Sequence, residues 1–323
     1  MKKRLQMLDL FCGGGGLSLG ASLSGKVQPA IGVDNDRVAL NTYEANLGGL
    51  AMQGDLTSIS FQNEVIARSL KQKIDLVAGG VPCQGFSLLN NHRKTNAKYT
   101  TGNSLLPKAF MRIALTIRPK LIVMEEVRTF PKDLLEQMKA SLTRSGYHVK
   151  SEVLNAMNHA VPQSRNRLFL VASRRPQDLA KFPPTALERK ITAGEALSRI
   201  DRGIPKSVSL SNEHWIRLRE AIDPDTGRDK LLALKPTWHR AAYAIVDMSR
   251  PAPTLTTHMN APGGGRFTIK RRGAYTIMTE QEAMALQSFP PNYVFSGSSA
   301  DVYRQIGNSV PPRLALAVFE SIT

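Results

Sequence analysis

Asp9-Leu10-Phe11-Cys12-Gly13-Gly14-Gly15-Gly16-Leu17-Ser18-Leu19-Gly20 is the stretch that decides the fold of this chain. An apolar run over residues 5–11 ends in four consecutive glycines, and residues 17–23 continue with helical character. That is a strand–turn–helix crossing, and glycine there lets the backbone approach a ligand closely. The next apolar run, 30–33, ends on Asp34, which is placed to accept hydrogen bonds from ribose hydroxyls. A dinucleotide fingerprint fits poorly. Gly13-x-Gly15 is followed by Ser18, and Gly14-x-Gly16 by Leu19, where that fingerprint wants Gly or Ala. A tight turn with a purely structural role is the plainer alternative. Strand, glycine turn, helix and acidic strand end together favour a nucleoside cofactor without saying which.

Residues 74–78, 121–124 and 168–172 are further strand candidates, and 37–46, 107–117 and 133–145 read as helices. Strand–helix alternation predicts an α/β fold, a mostly parallel sheet covered on both faces. From about residue 174 to 272 the texture changes. Pro183-Pro184, Pro224-Asp225 and Gly263-Gly264-Gly265 mark turns, and periodicity is weak. Helical pattern returns over 280–287 and closes with 312–321, where a proline opens the helix. The expected organisation is a catalytic, cofactor-binding domain of residues 1–173 plus 273–323, with a small loop-rich domain, 174–272, between them.

Charge narrows the partner. The 323 residues include 43 Lys and Arg against 26 Asp and Glu, a net charge of +17. Such an excess fits a polyanion, because each neutralised phosphate releases a condensed counterion; a basic surface kept for solubility is the alternative. From Gln84 to Met124 there are seven basic residues (Arg93, Lys94, Lys98, Lys108, Arg112, Arg118, Lys120) and no acidic one. They follow Pro82-Cys83-Gln84, a glycine-flanked turn after a strand candidate, where a thiol can be presented to a substrate. Read alone, such a cysteine is more often a small buried residue. Two cysteines make a disulfide scaffold implausible. No apolar run approaches the roughly 18–20 residues of a membrane span, and the block after Met1-Lys2-Lys3-Arg4 is too short for a secretory signal. A cytoplasmic enzyme is the expectation.

Taken in order, the motifs make the chain resemble the DNA (cytosine-5)-methyltransferases. Asp9-Leu10-Phe11-x-Gly13-Gly14-x-Gly16 looks like that family's S-adenosylmethionine loop, Asp34 like its ribose-binding acid, and Gly54-Asp55-Leu56 like the segment whose Asp contacts adenine. Pro82-Cys83-Gln84 resembles the catalytic motif, Met124-Glu125-Glu126-Val127 the Glu-Asn-Val motif, and Gln163-Ser164-Arg165-Asn166-Arg167 the Gln-x-Arg-x-Arg motif. Arg250-Pro251-Ala252-Pro253-Thr254-Leu255-Thr256-Thr257 is similar to the motif closing the target-recognition domain. Gln305-Ile306-Gly307-Asn308-Ser309-Val310 is similar to the last motif, which returns to the cofactor pocket. Roughly 174–249 stay unmatched.

The resemblance implies a methyltransferase fold and methyl transfer from S-adenosylmethionine to cytosine carbon 5 in a specific duplex DNA sequence, with no metal. It implies a catalytic set of Cys83, Glu125, Gln163, Arg165 and Arg167. Its cofactor set is Asp9, Phe11, Gly13, Gly14, Gly16, Asp34, Asn35, Asp55, Leu56, Pro82, Leu106, Asn308 and Ser309. A thiolate adding to carbon 6 makes carbon 5 nucleophilic, once the target base has been flipped out of the stack. Glu125 would hold or protonate N3, Arg165 would contact the O2 side of the ring, and Arg167 would support the site. The basic stretch after Cys83 is placed to close over the flipped nucleotide, and Gly85, Gly102 and the polar run Asn90 to Asn103 suit a mobile loop. A monomer, and a cognate restriction endonuclease as partner, are further expectations.

Three departures stand out. Val81 replaces the first proline of the usual Pro-Pro-Cys, and Cys12 lies in a slot that is variable in the family. Glu126 follows the catalytic Glu where Asn is usual, so two like charges would raise one pKa, or Glu126 faces another way. Three rivals remain: a tRNA methyltransferase of the same fold, although its Cys-Phe-Thr motif is missing; a thiol hydrolase using Cys83 with His92 or His159; and a DNA-binding relative without catalysis. Arg217, Arg219, Trp238, His239 and Arg240 are candidates for reading base edges in the major groove.

Overall fold

Residues 3–82, 105–198, 200, 232–233, 242–257, 259, 266–271 and 274–322 are described in a computed structural model of the chain. Cys83 and the residues to 104 lie outside them, as do the five candidates for base recognition, so the expected loop closure falls there too.

Chain order is β1 (Leu5–Leu10), α1 (Gly16–Leu23), β2 (Val27–Asp34), α2 (Arg37–Leu47), β3 (Leu50–Gln53), α3 (Ile59–Gln72), β4 (Leu76–Gly80), α4 (Leu105–Ile117) and β5 (Leu121–Val127). Then come α5 (Lys132–Arg144), β6 (His148–Asn155), β7 (Asn166–Ser173) and α6 (Ala193–Leu197). The large sheet has the order β3-β2-β1-β4-β5-β7-β6. β1 pairs in parallel with β2 and β4, β2 with β3, and β4 with β5, whereas β7 runs antiparallel to both β5 and β6. The mostly parallel α/β sheet expected from the sequence is therefore present.

Alternation along the strands splits the core into two layers. Leu8, Leu10, Ile122 and Met124 point to one face, where they meet Val65 and Ile66 of α3, Phe110 and Ile113 of α4, and Leu142 of α5. Met7, Leu121 and Val123 point to the other, against Leu17 and Ala21 of α1 and a carboxy-terminal helix, α9 (Pro312–Ile322). Strands covered on both faces are mostly apolar, which is why β1, β4 and β5 were readable from the sequence. β3, α3 and β6 were not anticipated. β6, at the sheet edge, reads His-Val-Lys-Ser-Glu-Val-Leu-Asn and is largely exposed.

A second sheet, β11-β10-β9-β8, is built from β8 (Leu232–Ala233), β9 (Ala242–Val246), β10 (Arg266–Arg271) and β11 (Ala274–Ile277). Val246, Phe267 and Ile269 from it share one core with Ala193 and Leu197 of α6, with Met284 and Leu286 of α7 (Glu280–Leu286), and with Val302 and Ile306 of α8 (Ser299–Asn308). The helix α8 was also unanticipated. Asn308 is its last residue and Ser309 its C-cap, so this pair ends a helix and does not open the next one.

Candidate active site

The chain order places β2 and β3 on one side of β1 and β4 and β5 on the other, so the connections reverse direction at β1 and β4. Ligands of open α/β sheets sit outside the carboxyl ends of the strands at such a switch point. The glycine loop stands there. Phe11, Gly13 and Gly15 all take positive φ, +60°, +50° and +84°, and Gly15 is the N-cap of α1. A Cβ on Gly13 would meet nothing within 4 Å, so this turn faces open space.

Asp34 shapes the loop from beside it. Its Oδ2 accepts from the Gly13 amide at 2.8 Å and its Oδ1 from the Asp36 amide at 3.0 Å. Each oxygen keeps a second lone pair, which leaves acceptor capacity for a ribose hydroxyl. Burial pushes the Asp34 carboxyl above its ordinary range, and the two amide bonds oppose that rise. Asp9, fully buried beneath the loop, accepts from Ser18 Oγ at 2.6 Å through Oδ2, while Oδ1 has no hydrogen-bond partner. Burial raises its pKa to about 7. Cys12, in the slot that is variable in the family, is a buried free thiol whose pKa burial also pushes up.

Other cofactor candidates lie on neighbouring strand ends. Asn35 is exposed directly after β2, Asp55 follows β3 and accepts from Thr57 N and Oγ1 at 2.8 and 2.7 Å, and Leu56 is buried. Pro82 is exposed after β4, and Leu106 is half-buried in the first turn of α4, packed with Phe11 against the same core layer.

The carboxy-terminal motif closes on this loop. A Cβ on Gly16 would come within 2.4 Å of the Val310 carbonyl oxygen and 3.1 Å of Ser309 Cβ. Tyr293 donates its hydroxyl to the Gly14 carbonyl, with its ring packed among Phe289 and Phe295. Arg304 of α8 donates to Asp36, the side chain that caps α2, and to Asp301 at 2.7 Å. Asn308 is exposed at the end of α8. Sequence reasoning missed Tyr293 and Arg304, because their partners lie some 270 positions away in the chain.

Glu125 sits at the carboxyl end of β5, opposite Gly80, the residue three before Cys83. Its carboxylate lies 3.1 Å from where a Gly80 Cβ would be. Arg167 Nε meets Glu125 Oε1 at 2.8 Å, with both side chains largely closed off. Burial pushes the Glu125 carboxyl above its ordinary range, and the Arg167 and Arg165 guanidiniums pull it back. Glu126, one residue on, faces the opposite side of the sheet, and its Oε2 accepts from the Val127 amide at 3.0 Å. It is not among the causes of the Glu125 shift. Of the two expectations for Glu126, the one that turns it away from its neighbour holds.

Gln163 and Arg165 form a buried latch. Arg165 donates from Nη1 to the Leu255 carbonyl at 3.0 Å and from Nη2 to the Gly307 carbonyl at 2.8 Å. Gln163 Oε1 accepts from the Leu255 amide at 3.0 Å, and its Nε2 donates to Gln287 Oε1. Gln287 in turn donates to the Ile306 and Ser309 carbonyls, at 2.9 and 2.7 Å. Three motifs far apart in sequence thus meet at one place. Gln287 was not singled out in the sequence.

The basic run behind Cys83 divides. Lys108 is exposed in the first turn of α4, and Arg112 donates to Gln62 and Asn63 of α3. Arg118 and Lys120 do not flank the candidate site, because α4 carries the chain back across the sheet to the amino end of β5. Among the described residues no group of His, Cys, Asp and Glu could hold a metal ion, and no helix is long and apolar enough to cross a membrane.

The profile of the C-5 cytosine-specific DNA methylases matches residues 5–323. The chain is 31% identical to the Type II methyltransferase M1.HphI of Haemophilus parahaemolyticus over 98% of its own length and 86% of the relative's. It is 31% identical to the Type II methyltransferase M.AplI of Arthrospira platensis, over 100% and 86%. The crystal structure of the S. pombe Dnmt2 methyltransferase superposes with a TM-score of 0.73 at 18% identity, covering 98% of each chain, a likeness of fold.

Proposed function

This chain belongs to the C-5 cytosine-specific DNA methylase family, and from that membership we propose that it transfers a methyl group from S-adenosylmethionine to carbon 5 of cytosine in a specific duplex DNA sequence. The observation that carries the proposal is the buried Glu125–Arg167 pair, set beside the strand end that leads to Cys83 and on the same sheet edge as the glycine loop. The residues fit the cofactor. The open approach at Gly13, the spare acceptor capacity of Asp34 and the exposed side chains after β2 and β3 suit a nucleoside with a ribose diol. In this assignment Asp9, Phe11, Gly13, Gly14 and Gly16 form the loop, Asp34 and Asn35 take the ribose, and Asp55, Leu56, Pro82 and Leu106 flank the base, with Asn308 and Ser309 closing the pocket. When bound, S-adenosylmethionine supplies an electrophilic methyl group on a sulfonium.

Cys83, as thiolate, adds to carbon 6 of a flipped cytosine, and the ring electrons move toward carbon 5 and N3. Glu125 presents its proton to N3 and offsets the charge that grows there as sulfur adds; a carboxyl raised by burial holds that proton nearer neutral pH. Arg167 orients Glu125 through the ion pair. Arg165 supports the O2 side of the ring from a guanidinium fixed by two carbonyls. Once carbon 5 is methylated, a base removes its remaining proton and the Cys83 sulfur leaves carbon 6.

The enzyme works in this reading as a cytoplasmic monomer on DNA, and the Type II relatives support a partner restriction endonuclease. The two-domain division proposed from the sequence, 1–173 plus 273–323 around 174–272, gives the duplex a cleft. Duplex DNA carrying 5-fluorocytosine, incubated with protein and methyl donor, should yield an irreversible adduct that maps to Cys83. Folded protein that forms no adduct, or a Cys83→Ala variant that still transfers methyl groups, would end the proposal. Bisulfite sequencing of DNA from expressing cells would read out the target context.

A further inference from the structure

The edge of the large sheet away from the glycine loop carries its own positive charge. The amino ends of β1, β2, β4 and β5 and the carboxyl end of the antiparallel β7 all lie along it. Backbone bonds join its members into one line: Leu5 N to Lys26 O, Asp75 N to Gln6 O, Lys120 N to Asp75 O, and Arg174 N to Lys120 O. Arg4, Lys26, Lys73, Arg118, Lys120 and Arg174 are all exposed along this line. Asp75 and Asp178, which interrupt it, are already ion-paired, Asp75 with Lys120 at 2.7 Å and Asp178 with Arg175 at 2.6 Å. Glu320, exposed on the last turn of α9, leaves the balance positive.

Helix electrostatics account for part of this. Lys73 and Arg118 follow the last turns of α3 and α4 in left-handed conformation (φ +54° each), where a cation is favoured by the helix dipole. Lys26 stands two residues past the Ser24 C-cap of α1 and shares that reason, whereas Arg4 and Arg174 flank strands and do not. Five adjacent strands at about 4.8 Å span roughly 19 Å, over which a duplex presents on the order of ten phosphate charges.

We propose that this rim binds a second segment of duplex DNA, distinct from the segment whose cytosine is modified. The two surfaces lie on opposite edges of the sheet, so one short duplex does not reach both. The choice of duplex DNA as partner rests on the functional reading above. Bridging two segments lets the enzyme pass between distant stretches of one molecule without full release.

The test uses bead-bound random-sequence duplex in excess over protein, washed and then offered a fluorescent second duplex. Wild-type protein should capture the second duplex. A protein combining Arg4→Gln, Lys26→Gln, Lys73→Gln and Arg118→Gln should capture at least about fivefold less, with a salt slope shallower by ~0.9 for each phosphate it no longer neutralises. Methyl incorporation into bacterial genomic DNA should stay within about twofold, because none of the four residues is in the candidate site. No capture by wild type, equal capture by the variant, or capture of RNA in place of duplex overturns the proposal. Absence of methyl transfer in both proteins would defeat the functional reading while leaving the capture result readable. Should the fourfold variant not fold, Lys26→Gln and Arg118→Gln alone carry the test, each with a smaller loss of the same sign.

Discussion

Arg167 Nε lies 2.8 Å from Glu125 Oε1, and the two residues are diagonal neighbours on one face of the β5–β7 ladder, since Arg167 stands directly opposite Val127. The pair is buried, and its arrangement shows which effect wins. Two guanidiniums favour the carboxylate, yet burial still pushes Glu125 up. Removing one partner of a buried pair leaves an uncompensated charge and typically costs about 3–5 kcal/mol.

Arg167→Gln should therefore destabilise the protein by about 3 kcal/mol in urea titrations and raise the Glu125 pKa further. If Glu125 delivers the proton to N3, the alkaline limb of the kcat–pH profile reports its loss. That limb should move to higher pH in the variant. Movement to lower pH would remove Glu125 as the proton source, whatever the loss in rate.

Asp9 makes a second pH-dependent prediction. Its folded pKa is raised from 3.8 to about 7, so between about pH 4 and 7 the folded state binds more protons than the unfolded one. Stability from this group is then complete below the unfolded value and is lost as pH rises through 7, by roughly 4 kcal/mol in all. Asp34 and Glu125 are shifted in the same direction, so the wild-type curve holds more than one contribution. The difference between wild type and Asp9→Asn isolates Asp9. Chemical denaturation at several pH values should show a shallower decline for the variant, and an equal slope would mean that Asp9 is ionised in the folded protein.

How far these features could be read in advance depended on whether the relevant residues are close in sequence. The glycine loop and Asp34 are contiguous signals, and they stand where strand alternation placed them. Glu126 was readable in principle, because successive residues of a strand point to opposite faces. Arg118 and Lys120 were misplaced for a geometric reason. The 13 residues of α4 advance about 20 Å, from one sheet edge to the other, so adjacency to Cys83 in sequence ceased to mean adjacency in space. Tyr293 and Gln287 gave no local signal, since their chemistry arises from packing against segments far away in the chain. β6 escaped because an exposed edge strand carries little apolar pattern.

Gly13 and Gly16 should respond differently to the same methyl group. At Gly13 a Cβ meets open space, so Gly13→Ala pays chiefly for its left-handed backbone, about 1–2 kcal/mol. At Gly16 the Cβ would sit 2.4 Å from the Val310 carbonyl oxygen, and a backbone atom cannot step aside cheaply. Gly16→Ala should cost more than about 2 kcal/mol and weaken S-adenosylmethionine binding measured by calorimetry. A Gly16→Ala protein as stable as Gly13→Ala would show that the carboxy-terminal motif does not press on the loop.

Gln287 is the test of whether the latch serves the cofactor side or only the fold. Its amide donates to the Ile306 and Ser309 carbonyls and accepts from Gln163, so Gln287→Ala strands buried polar groups on both sides. The expected stability loss is about 1–3 kcal/mol. Ser309 and Val310 lean on Gly16, so slack introduced at Gln287 should reach the glycine loop and raise KM for S-adenosylmethionine more than it lowers kcat. Gln287→Glu keeps the acceptor but replaces the one Nε2 that makes both donor bonds with an oxygen facing two carbonyls, and it should be the worse of the two. A purely structural role would lower stability and leave KM for the methyl donor where it was, and steady-state kinetics on both variants separates these outcomes.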